Sequence, residues 1–143
     1  MAEDKRKHLE FIQAIIARMA NNSFLIKGWS LTLTAAILVF SAEASRPTIA
    51  LVALLPLVLF WGLDAYYLRQ ERLYRKLYDA ARLEGTGLPS PDLFSLSPAS
   101  FGNEVDNWVR TLIAPTVVGF HSVVTVLVVL VVVLILLLQQ RGG

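Results

Sequence analysis

Three ionisable side chains lie where ionisable side chains are costly. Lys27, Asp64 and His121 each fall inside a stretch otherwise apolar enough to cross a lipid bilayer. A lysine and an aspartate at matching depth can form an ion pair, and a histidine beside them adds a group able to exchange protons near neutral pH. A charge at the centre of a membrane helix costs about 3 kcal/mol or more unless it finds a partner or water. Lys27 and Asp64 therefore admit three readings. They form a direct pair, within or between subunits. They are solvated separately at the interface, the lysine stem snorkelling outward. Or they belong to a path for ions or protons. His121 either completes a polar layer with them or bonds to a backbone carbonyl or water.

The elements that must position these groups are helical. Residues 24–40 and 48–67 form a hairpin of two apolar spans around the turn Ala42-Glu43-Ala44-Ser45-Arg46-Pro47. Counted outward from the middle of that turn, Lys27 and Asp64 are almost equidistant, as are Trp29 and Trp61. Pro47 suits the first turn of the second span, where its missing N–H costs nothing. Pro56, in mid-span, removes one backbone bond and can kink that helix. A third span, residues 117–138, is nearly all valine and leucine, with His121 close to its start. With only Thr125 polar in its deeper part, it reads as a packing or lipid-facing helix rather than a pore wall.

The remaining segments read as amphipathic helices outside the bilayer. In residues 4–22, Leu9, Ile12, Ile16 and Met19 recur at helical spacing, with Phe11 and Ile15 widening the stripe, and Lys5, Arg6, Lys7, Glu10, Gln13 and Arg18 hold the wetter side; this helix packs on the rest of the protein or lies among anionic headgroups. Asn21, Asn22 and Ser23 are expected to break it from the first span. The second span continues as one helix to about residue 83. From 48 to 83 it measures roughly 50 Å, longer than a bilayer core, so its last third projects into water. Leu73, Tyr74, Leu77 and Tyr78 form an interaction face there, for the N-terminal helix or a neighbouring subunit. Residues 85–100 are a loop in which Ser90-Pro91-Asp92 can start a turn. Phe101, Val105, Trp108, Val109 and Leu112 then recur on one side of a second interfacial helix. Trp29, Trp61 and Trp108 are expected as anchors at the headgroup level.

Composition agrees. Hydrophobic residues make up 55% of the 143 and charged residues 17%, against about 25% charged in soluble domains. A formal charge of +2 is too small to imply nucleic acid, and with no cysteine there is no disulfide or thiolate chemistry. His8 and His121 are too far apart in sequence for a metal-ligand motif. Gly85, Gly87 and Gly119 lack the spacing of a phosphate loop, and no nucleophile motif is present. The chain reads as non-enzymatic, with no cofactor and no identified small-molecule substrate. Residues 1–23 are charged and amphipathic and do not read as a cleavable leader, so the first span is expected to act as an uncleaved anchor. Basic residues flank residues 24–40 on their N-terminal side and follow the second span, while the hairpin turn has only Arg46 and the tail only Arg141. The positive-inside rule then puts the N-terminus in the cytoplasm and the C-terminus outside.

Two stretches resemble a known family. They are Lys7-His8-Leu9-Glu10-Phe11-Ile12-Gln13 with Arg18-Met19-Ala20-Asn21-Asn22-Ser23-Phe24-Leu25-Ile26-Lys27-Gly28-Trp29-Ser30, and Phe60-Trp61-Gly62-Leu63-Asp64-Ala65-Tyr66-Tyr67-Leu68-Arg69-Gln70-Glu71-Arg72-Leu73-Tyr74-Arg75-Lys76-Leu77-Tyr78. They look like the RipA-type family of small octameric bacterial inner-membrane proteins. The resemblance covers about the first 80 residues and includes both Lys27 and Asp64. It implies a homo-octamer in a bacterial inner membrane, and an architecture more than a mechanism.

The expectation is thus an all-α integral membrane protein with three transmembrane helices and amphipathic cytoplasmic helices, assembled as a homo-oligomer in contact with lipid, some of it anionic. Its segments are 1–23, the amphipathic helix; 24–67, the hairpin; 68–112, the helix extension, loop and interfacial helix; and 113–143, the third span and tail. Three functions remain open: a structural or interaction assembly, an oligomeric channel or membrane-perturbing effector, and a small partner subunit of a larger complex.

Overall fold

The computed structural model describes residues 2–83 and 95–142, and every regular element among them is helical. The helices are α1 (Ala2–Glu43), α2 (Pro47–Val52), α3 (Leu54–Arg82), α4 (Trp108–Leu112) and α5 (Pro115–Gly142), with a 3-10 turn at Ala99–Phe101. Three stretches are long and apolar enough to cross a membrane: the bulk of α1, α2 with α3, and α5. This is consistent with a multi-pass membrane protein. The turn expected at Ser90-Pro91-Asp92 lies outside the described residues.

Three expectations need correction. The break at Asn21-Asn22-Ser23 does not occur, and α1 is continuous from Ala2 to Glu43. Asn and Ser are weak helix formers rather than breakers, at about 0.5 kcal/mol each relative to alanine. No proline interrupts α1, so packing on either side outweighs that cost. Second, the long helix of the second span is interrupted at Ala53. Pro56 has no N–H to offer the carbonyl of Val52. The backbone tightens locally, with Ala53 N–H donating to Ala50 O at 3.1 Å, and resumes with Leu57 N–H donating to Ala53 O at 3.4 Å. Third, residues 101–112 do not form one interfacial helix. The 3-10 turn ends at Phe101 and α4 holds only five residues. Asn107 intervenes as a helix cap, its side-chain carbonyl accepting the Arg110 N–H at 2.8 Å.

The turn after α1 shows how the hairpin is made. Arg46 N–H reaches back to Ser41 O and Ser45 N–H to Ala42 O, both at 3.1 Å. This is the Schellman pattern, which requires a left-handed residue after the helix. Ser45 supplies it at φ 52°, a position usually given to glycine. The Ser41 hydroxyl closes the turn by donating to Arg46 O at 2.8 Å.

The chain divides into two compact units. One combines Met1–Ser23 with Tyr66–Thr111, the other Phe24–Ala65 with Leu112–Gly143. In the first unit α1 and α3 run antiparallel over a small core of Ile12, Leu77 and Ala81, flanked by Leu9, Ile16, Tyr74, Tyr78 and Phe101. Burying each large aliphatic side chain contributes about 1.5–3 kcal/mol. Polar contacts fix the register: Gln13 Nε2 donates to Tyr78 Oη at 3.0 Å, and Lys5 Nζ to Arg82 O at 3.2 Å, on the carbonyl-rich end of α3. Residues 99–107 strap across α3. Arg69 donates to Asp106 O at 3.1 Å, Arg72 pairs with Asp106 at 3.4 Å and Lys76 with Glu104 at 3.6 Å.

The second unit is a three-helix packing with seams of heptad-like spacing. Buried positions are Ser30, Thr34 and Ser41 on α1, Ala50 in α2 with Ala53 just after it, Leu57, Asp64 and Ala65 on α3, and Val117, His121, Val124, Val128 and Ile135 on α5. Intervals of three and four residues keep such positions on one helix side. The small residues among them, Ser30, Thr34, Ser41, Ala50, Ala53 and Ala65, let backbones approach closely. The remaining faces of α5 expose valine and leucine throughout.

Candidate functional site

The second unit brings Lys27, Asp64 and His121 together. Lys27 Nζ donates to Asp64 Oδ1 at 2.5 Å. The other carboxylate oxygen, Oδ2, lies 3.3 Å from His121 Nε2. Asp64 and His121 side chains are fully buried, whereas that of Lys27 retains 23% exposure. The pairing lies within one chain. Asp64 ends up here because it sits seven residues after Leu57 on the buried side of α3, and His121 because it sits four after Val117 on the buried side of α5.

An ionised carboxylate only accepts hydrogen bonds, so His121 Nε2 carries the proton that points at Asp64. The opposite nitrogen, Nδ1, is buried and has no hydrogen-bond partner among the described residues. The same is true of the hydroxyls of Ser30 and Thr34. Lys27 and Asp64 offset one another, so the cluster is neutral when the imidazole is neutral.

The imidazole is held from several sides. Trp61 stacks on it with ring centroids 5.5 Å apart and planes 4° from parallel, and Phe120 meets it edge-on at 5.1 Å. Trp61 is fixed in turn because its Nε1–H donates to Leu112 O at 2.9 Å. That carbonyl is available because α4 stops there, three residues before Pro115 opens α5. Thr125 donates to His121 O at 2.7 Å, one turn further along α5. Trp61, expected as a headgroup anchor, is only partly exposed and covers the histidine instead. Trp29 and Trp108 are 59% and 44% exposed.

Sequence reasoning placed Lys27, Asp64 and His121 at one depth but missed Trp61 and Phe120 around the imidazole. One signal was available: Trp61 and Asp64 are three residues apart, a spacing that places them on the same side of a helix. Of the interaction face, Leu73 and Leu77 are buried in the first unit and Tyr74 and Tyr78 partly so, packed with α1. No metal-binding cluster of His, Asp and Glu occurs among the described residues.

The arrangement joins a buried carboxylate, a cation on a flexible stem and an enclosed imidazole whose Nδ1 has no hydrogen-bond partner among the described residues. No family model, curated protein or solved structure matches this chain.

Proposed function

We propose that this chain is a non-enzymatic building block of a membrane-embedded homo-oligomer, acting as a structural or interaction assembly. One observation supports the reading above others. The first unit is rich in Lys, Arg, Asp and Glu and so suits water, yet it carries an apolar groove of about 300 Å³ lined by Phe11, Ala14, Ile15, Arg18 and Leu96. Phe11 itself is 54% exposed. An aromatic side chain held in water beside such a groove favours burial against another chain. Only 11% of the most apolar window of α1 is buried, against 28% for α2 with α3, which leaves α1 most surface to cover. The distribution of basic residues supports a cytoplasmic N-terminus and an external C-terminus. The resemblance to the RipA-type family adds a bacterial inner membrane and eight copies as the expected setting.

The test is the particle mass of the full chain in lipid nanodiscs, by native mass spectrometry, for wild type and Phe11→Asp. A discrete multimer that Phe11→Asp reduces, with helical circular dichroism unchanged, supports the assembly. A wild-type monomer, or a multimer indifferent to Phe11→Asp, refutes it or this surface.

A further inference from the structure

Asp64 meets both Lys27 and His121 with a single negative charge, one on each oxygen. Lys27 occupies Oδ1 and His121 faces Oδ2. We propose that this cluster is a proton-binding site in which a proton taken up on His121 Nδ1 makes the imidazolium the chief partner of Asp64 and displaces Lys27 toward the surface of the helix packing.

The balance is simple. A proton from water adds to the Nδ1 lone pair, no bond to carbon changes, and the Nε2–H to Oδ2 contact becomes a charge-assisted hydrogen bond. The cluster passes from net zero to one positive charge. Two cations then share one buried carboxylate, and an uncompensated charge in a low-dielectric interior is costly. One cation must gain access to water.

Geometry decides which. His121 is fully buried, stacked by Trp61 and edged by Phe120, so its ring has no room to leave. Lys27 has a four-carbon stem and already keeps 23% of its side chain exposed. Its ammonium can swing outward by giving up its contact with Asp64. On α1, three and seven residues after Lys27, the hydroxyls of Ser30 and Thr34 are buried and carry no hydrogen bond among the described residues.

No other titratable group of the second unit faces the cluster. Within this unit the next on α1 is Glu43, about 24 Å along the helix from Lys27 at 1.5 Å per residue; Arg18 on α1 and Tyr66 and Tyr67 on α3 are nearer in sequence and belong to the first unit. Arg46 precedes α2, and Arg141 lies in the last turn of α5. Within α2 and α3 up to Ala65, Asp64 stands alone. The proposal does not depend on assembly: it concerns contacts within one chain and holds for a monomer or a multimer.

Trp61 provides a built-in reporter, because an imidazolium stacked on an indole quenches its emission. The experiment uses the full chain in lipid nanodiscs with Trp29→Phe and Trp108→Phe, leaving Trp61 as the sole tryptophan. Emission is followed as the pH falls from about 8 to 5, the interval in which histidine side chains exchange protons. The expected result is a reversible loss of Trp61 emission that His121→Gln abolishes. In parallel, the dipolar coupling between ¹⁵N-lysine Nζ and ¹³C-aspartate Cγ is measured in the chain with all other residues native, the Lys27–Asp64 signal being assigned by its absence in Lys27→Met. That coupling should be present at the upper pH and lost at the lower, while the histidine Nε2–aspartate coupling remains. Flat emission, an emission loss that persists in His121→Gln, or a lysine coupling unchanged across the range would each overturn the proposal. The coupling measurement decides the matter even where His121→Gln does not fold.

Discussion

Replacing Lys27 by methionine should destabilise the protein far more than its partly exposed position suggests. The cost falls on Asp64, whose side chain is fully buried and would lose the 2.5 Å ammonium contact. Removing one partner of a buried ion pair typically costs about 3–5 kcal/mol. The low end, about 3 kcal/mol, applies here because His121 still donates to Oδ2. Asp64→Asn should cost less, about 1–2 kcal/mol: the amide oxygen still accepts from Lys27, whose stem can also carry the ammonium to water. In the double variant no buried charge is stranded, so its cost should fall below the sum of the two by about 2 kcal/mol. Reversible unfolding in mixed micelles, titrated with sodium dodecyl sulfate, measures all three, with Val58→Ala, at a 66% exposed position, as the control. A Lys27→Met cost within about 0.5 kcal/mol of that control, the range of ordinary surface substitutions, would refute the reasoning. So would strict additivity of the pair. The reversed pair, Lys27→Asp with Asp64→Lys, should recover stability only in part, since it sets an ammonium against the His121 Nε2–H.

In the first unit, Leu77→Ala should cost about 2–5 kcal/mol, because Leu77 is fully buried in a core with few other large side chains; a shift of thermal midpoint no larger than that of an exposed alanine substitution would contradict this core. At the hairpin turn, Ser45→Gly should stabilise by up to about 1 kcal/mol by removing the penalty of a left-handed side-chain-bearing residue. Ser45→Val should destabilise, and equal unfolding midpoints for the two would show that the turn does not hold this conformation.

What could be read from residues alone was set by composition and by distance along a helix axis. Valine and leucine over residues 117–138, and the two apolar runs around Pro47, already demand helices, because a lipid-facing backbone must satisfy its hydrogen bonds within the segment. The depth of Lys27 and Asp64 followed from counting outward from the turn, since axial rise per residue is nearly constant. Even the irregularity at Ala53 was foreshadowed by Pro56. Rotation about each axis was not legible, because whole faces of α1 and α5 are equally apolar and several orientations satisfy the same pattern. Only packing turned Asp64 and His121 inward, left the Lys27 stem at the edge, and laid Trp61 over the imidazole. Local chemistry also lost to context twice: Asn21-Asn22-Ser23 stayed helical because flanking contacts exceed their small intrinsic penalty, and residues 101–112 broke into short pieces because the Asn107 cap and the strap contacts to α3 outweigh an amphipathic spacing. Sequence thus fixed the heights of the charged groups, and tertiary packing chose their partners, because height depends on one chain's geometry whereas facing depends on three helices fitting together.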